Sequence, residues 1–172
     1  MTMNNDYVCV GKIVNTHGIK GELRILSDFE LKNKVFQKDI NLYVGSEKRE
    51  FTITTYRHHK MFDMVTFKGI TNINEVLSLK GLLVYVKRET LNLDNDSYIL
   101  SDLIGLDVYD KDKKIGTVKD YYLDNGNTLL DVLGKKEFYI PLKSHYIKRV
   151  NLQDKKIITE GGSELILWQL IF

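Results

Sequence analysis

Apolar residues in this chain recur with a period close to two, in short runs separated by Gly, Asn and Asp, rather than with the 3.6-residue period of a helix. Because successive side chains of a strand point to opposite faces, this spacing predicts an all-β fold. In the first half the runs fall at 7–14, 22–26, 40–44, 50–56, 64–67 and 82–87, several of them rich in the β-branched and aromatic residues that suit a pleated surface. Six strands in about 85 residues predict a small barrel, which leaves no open edge. One stretch departs from the pattern: in 72–81, Ile73, Val76, Leu77 and Lys80 fall three or four apart between Asn72 as N-cap and Gly81 as C-cap, predicting one short helix.

Residues 89–97 are polar and turn-rich and sustain neither period, so they are expected to link a first domain over 1–88 to a second over 98–172. Strand runs resume at 107–109, 115–123, 128–132, 138–140, 147–151 and 156–159. Asn125-Gly126 lies between two of these and accepts the positive φ angles of a type I′ turn, so 115–123 and 128–132 should pair as a hairpin. The nearly unbroken apolar end, 165–172, is too short to span a bilayer and is expected to be buried or in contact with something.

Composition excludes several classes. With 43% hydrophobic and 28% charged residues the chain is expected to fold rather than stay disordered. No run approaches the ~20 apolar residues of a membrane span, and residues 1–6 lack the pattern of a secretory signal, so the cytosol is the expected compartment, with no membrane partner. The single Cys9, placed in a predicted strand, is expected to be a small buried hydrophobe. Net charge is +2, unevenly shared: residues 1–90 hold 14 Lys/Arg against 10 Asp/Glu, and the rest 11 against 13. The basic first half favours a polyanion only mildly.

Catalytic motifs are missing. Gly11, Gly18 and Gly21 match neither phosphate-loop pattern, no serine sits in a GxSxG turn, and the histidines His17, His58, His59 and His145 lack cysteine or carboxylate partners at ligand spacing. Neither a catalytic set nor a metal or other cofactor is expected. Arg57-His58-His59-Lys60 joins two predicted strands and reads either as a solvated hairpin tip or as a phosphate contact. The most informative stretch runs from Gly11 to Ile25, where Gly18 and Gly21 bracket a tight connection that should carry His17 and Lys20 outward.

Gly11-Lys12-Ile13 followed by His17-Gly18-Ile19-Lys20-Gly21-Glu22 resembles the opening signature of the ribosome maturation factor RimM family. Tyr56 to Lys60 with Met64 to Ile70, and Lys80-Gly81 with Val84-Tyr85-Val86, resemble the same family's first domain. Tyr98, Asp102-Leu103-Ile104-Gly105, Ile115-Gly116-Thr117-Val118, Gly126-Asn127, Ile140-Pro141 and Ile147 resemble its second, a PRC-type barrel, in colinear order over about residues 7–160. The resemblance implies two β-barrels in a cytoplasmic, non-enzymatic assembly factor. Such a factor binds the head of the immature small ribosomal subunit, aids maturation of its 16S ribosomal RNA, and docks its second domain on the nineteenth small-subunit ribosomal protein. On this reading Tyr98, with Ile99 beside it, contacts the ribosomal protein, Tyr98 alone keeping the aromatic character of the family's usual pair. The competing reading for Tyr98 is a core tyrosine. His17, Lys20, Arg24, Arg57, His58 and Lys60 are the candidates to face the ribosomal RNA side, and a monomer is expected. The alternative function is a β-barrel adaptor for another protein partner.

Overall fold

The computed structural model describes residues 6–94 and 97–168, and the chain divides into two compact units that part between residues 96 and 97. The first unit holds six strands: β1 (Tyr7–His17), β2 (Glu22–Leu26), β3 (Asn41–Val44), β4 (Arg49–His59), β5 (Phe62–Phe67) and β6 (Leu83–Lys87). They close into a barrel in the order β1-β2-β5-β4-β3-β6. Closure is possible because β1 pairs with both β2 and β6, changing register at bulges near Gly11 and Asn15. Gly11 is required there: a Cβ would sit 2.8 Å from the Leu26 carbonyl oxygen and 2.9 Å from Ile25 Cγ2. Inward residues of each strand, among them Val10, Ile13, Leu23, Ile25, Leu42, Ile53, Val65, Phe67 and Val84, are fully or almost fully buried. Alternation between Val8 and Val10 turns Cys9 outward, and it is exposed, correcting the expectation of a buried thiol.

Three further features depart from the sequence reading. A single helical turn, α1 (Lys32–Val35), carries Val35 and Phe36 to full burial. The segment 72–81 is not one helix but two 3₁₀ turns, Ile73–Glu75 and Leu77–Leu79. Its N-terminal cap is as expected, since Asn72 accepts from the Asn74 amide at 2.9 Å and Glu75 accepts from the Asn72 amide at 3.0 Å, whereas the C-cap is Lys80, one residue before Gly81. The buried residues Val76 and Leu79 lie three apart, and three residues per turn puts both on one side, which the 3.6-residue turn does less well. The expected linker also starts late: Arg88–Leu91 form a 3₁₀ turn, Leu91 is 0% exposed, and its carbonyl accepts from Lys34 Nζ at 2.8 Å, so this turn belongs to the first unit.

Asp63 anchors one end of this barrel. It is 0% exposed, and Lys32 Nζ and the Tyr56 hydroxyl donate to it at 2.9 and 3.0 Å, with His58 Nδ1 at 3.6 Å.

The second unit has β7 (Asp107–Asp110), β8 (Lys113–Asp124), β9 (Asn127–Leu133), β10 (Glu137–Pro141), β11 (Ile147–Asn151), β12 (Lys156–Thr159) and a helix, α2 (Gly162–Trp168). Asn125 and Gly126 have φ of 46° and 82° and join β8 to β9 as an antiparallel hairpin, as the sequence predicts. The strand order is β10-β9-β8-β7-β12-β11, with β12 and β7 parallel. The ladder is therefore linear, without hydrogen-bonded pairing between β10 and β11 among the described residues. The unit is nonetheless barrel-like, because one core receives Val108, Val118, Leu130, Val132, Phe138, Ile140 and Ile157, with Ile147 and Val150 of β11 and Leu165 and Ile166 of α2 packed against it. Burial of the apolar end is thus partly met: Leu165 and Ile166 pack, Leu167 is 63% exposed, and 169–172 lie outside the described residues.

Replacing Asp63 with Ala removes the buried acceptor of Lys32 and the Tyr56 hydroxyl, both partly solvated, and chemical denaturation should register a loss of about 1–3 kcal/mol. Burial, then the hydrogen bond to Asp63, push the Tyr56 hydroxyl up to about 12. A raised pKa favours the fold below the ordinary value of 10.0, and that contribution disappears as pH rises through about 12. Tyr56→Phe should flatten the fall in stability between those pH values, measured by denaturation at a series of alkaline pH.

Candidate functional site on the first barrel wall

The sequence-nominated residues of the first unit fall on β1, β2 and β4, with β5 between the last two, and in the turns at Lys20 and Lys60, and register decides which of them meet. Arg24 of β2 and Arg57 of β4 both stand opposite Met64 of β5, which is 0% exposed between them. His17 at the end of β1 pairs with Glu22 at the start of β2. Arg57 grips Glu22 with two nearly parallel bonds, Nε to Oε1 at 2.8 Å and Nη2 to Oε2 at 2.6 Å. His17 Nδ1 accepts from Arg24 Nη2 at 2.9 Å, which assigns the ring proton to Nε2, 4.0 Å from Glu22 Oε2. Four side chains thus form one outward-facing cluster, with two guanidinium groups against one carboxylate and a net charge of +1 while His17 is neutral. Arg24 stays half-buried near the Phe62 ring, and its buried Nε has no hydrogen-bond partner.

The β1–β2 turn beside this cluster is shaped by its glycines and tied to the next element. Gly18 and Gly21 have φ of 65° and 80°, and a Cβ on Gly21 would sit 2.9 Å from Ile70 Cγ2. The Ile73 amide donates to the Ile19 carbonyl at 3.0 Å, tying the tip to the first 3₁₀ turn. The tip presents Lys20 and Ile19, the latter 82% exposed. Ile19 and Glu22 were not nominated from sequence. An isoleucine between two polar residues reads as ordinary alternation, and the role of Glu22 depends on Arg57, thirty-five positions away.

Other nominated residues lie elsewhere. Leu23 pairs with Val65 and Leu26 with Phe62, so the β1–β2 turn and the β4–β5 turn are at opposite ends of β5. Lys60, at φ 56°, is exposed in that second turn, remote from Lys20. Alternation along β4 splits the histidine pair: His58 turns to Asp63, while His59 lies on the Glu22 side and helps to hold that carboxyl down. In the second unit Tyr98 is 36% exposed, which favours a surface anchor over a core tyrosine. Ile99 is 1% exposed, and its amide donates to Asp102 Oδ2 at 3.0 Å, so the side chain expected beside Tyr98 as a contact is instead part of the interior.

The model of the RimM N-terminal domain matches residues 8–91, and that of the PRC-barrel domain residues 95–166. The chain belongs to the RimM family. A ribosome maturation factor RimM from Exiguobacterium is 37% identical over 89% of this chain and 92% of its own. Those from Staphylococcus aureus and Ligilactobacillus salivarius are 38% and 37% identical over 87% and 90% of this chain, and 92% and 96% of theirs. A crystal structure of RimM from Pseudomonas aeruginosa is 21% identical and covers 92% of this chain and 99% of its own, at a TM-score of 0.45.

In this family member the Arg57 hydrogen bond, and then the Arg57 charge, hold Glu22 below the ordinary 4.5 despite partial burial. A depressed pKa stabilises the fold above 4.5, and the gain is lost as pH falls through the lowered value. Glu22→Gln should therefore lower the denaturation midpoint at pH 7, with the difference from the parent narrowing steadily once pH drops below 4.5.

Proposed function

We propose that this chain is a ribosome maturation factor that acts by binding, without covalent chemistry, on the head of the immature small ribosomal subunit in the cytoplasm. The observation that carries this reading is family membership across both units, with relatives named ribosome maturation factor RimM matched over about nine-tenths of the chain. In this reading the first barrel faces ribosomal RNA through the cluster of His17, Arg24 and Arg57, with Lys20 at its rim. The +1 cluster suits phosphate positioning of modest strength, since Glu22 already occupies the Arg57 fork. His58 and Lys60 form a separate, weaker contact at the other end of β5. The second unit docks on the nineteenth small-subunit ribosomal protein, with Tyr98 as its anchor. Bound as a monomer, the protein favours one conformer of a flexible precursor over others.

Sedimentation of the purified protein with free small subunits and with complete ribosomes tests the reading. It predicts co-migration with free small subunits and little or none with complete ribosomes; enrichment on complete ribosomes, or on neither, contradicts it. Tyr98→Ala should weaken capture of the nineteenth ribosomal protein at least about tenfold while shifting stability by no more than about 1 kcal/mol. A large stability loss with unchanged capture would return Tyr98 to the core.

A further inference from the structure

The outer face of β8, β9 and β10 gathers residues that stability alone does not explain. Register sets Asp120 of β8 directly opposite Asp131 of β9, a like-charge pair at a position where such pairs destabilise a sheet. Leu130 and Val132 fill the core, so alternation turns Asp131 outward, yet it is 0% exposed. Its contacts are poor: the Tyr122 hydroxyl at 3.4 Å and Lys119 Nζ at 3.7 Å reach Oδ2, no donor reaches Oδ1, and the Glu137 carboxyl lies close enough to share a proton with Asp131. Lys119 is held instead by Glu137, at 2.7 Å. A desolvated carboxylate served this weakly costs stability, and burial, followed by the neighbouring Glu137, pushes its pKa up.

Tyr122 and Tyr139 cover this carboxylate edge to face, with ring centroids 6.1 Å apart, and are 48% and 36% exposed. Leu133 adjoins them on the same face at 55% exposure. On the strands themselves Asp120, Asp131 and Glu137 outnumber Lys119, with Lys135 and Lys136 in the turn beyond Leu133, so the centre of the face is negative and attracts a cation. An acceptor left open beneath two aromatic rings matches a guanidinium better than an ammonium, because the planar group both stacks on rings and donates in a fork.

We propose that this face docks an arginine side chain from a basic segment of a protein partner, its guanidinium stacked on Tyr122 and Tyr139 and donating to Asp131 Oδ1. Lys119, about half exposed, swings aside to admit it. The inference rests on the proposed function in one respect: the partner is a protein of the immature subunit.

The test titrates the full chain with a ten-residue peptide of alternating Arg and Gly, and with the same peptide carrying citrulline for arginine. The arginine peptide should move the Tyr122 and Tyr139 ring signals and bind at least tenfold more tightly than the citrulline peptide. Asp131→Asn should abolish that preference while leaving the melting temperature at pH 7 unchanged or higher, since it removes a charge that the fold disfavours. Tyr122→Ala should weaken arginine-peptide binding in the same way. Equal binding of the two peptides, or undiminished binding by both variants, overturns the proposal. Sedimentation with free small subunits separates the two ideas: failure of the parent protein to co-migrate, with the peptide preference intact, sinks the functional reading alone. Co-migration without any peptide preference sinks the arginine site alone.

Discussion

Pairing of β1 with both β2 and β6 is the constraint on which the first unit depends. Once β1 bends at its bulges and the hydrogen-bonded ring closes, the order β2-β5-β4 is set, and with it the neighbours of every side chain on that wall. Arg24 and Arg57 come to flank Met64, and Glu22 comes within reach of Arg57 and His17. The candidate site is thus a property of strand register more than of any single loop, and a one-residue slip in β2 would turn Arg24 and Glu22 into the core.

Sequence reveals this fold where the physics is local. Alternating apolar residues locate all six strands of the first barrel, and Asn125-Gly126 locates a hairpin, because side-chain direction and positive φ are decided by a few adjacent residues. It fails where burial elsewhere chooses between local options. Nothing around Lys32–Val35 caps a helix, and the turn exists because Val35 and Phe36 fill the barrel. The 3₁₀ turns at 73–79 likewise follow from where Val76 and Leu79 must point. In the second unit the runs of apolar residues show which strands exist but not that the ladder stays linear between β10 and β11.

The site was half legible for the same reason. His17, Arg24 and Arg57 stand out as basic residues near a glycine-bracketed turn, but their meeting through Glu22 is a cross-strand event. His58 and Lys60 read as part of one basic string with Arg57, and strand alternation and the length of β5 separate them. Ile99 sits next to an exposed tyrosine in sequence and yet is buried, since neighbouring residues here face opposite ways. The two units carry contrasting surfaces, a cationic cluster on one wall of the first and an acidic, aromatic face on the second.

An electron-microscopy map of this protein on an immature small subunit tests the central claim most directly. The account predicts that the wall bearing His17, Arg24 and Arg57 lies against ribosomal RNA while the second unit rests on protein. Density placing that wall against protein or open solvent, with the second unit on RNA, would contradict it.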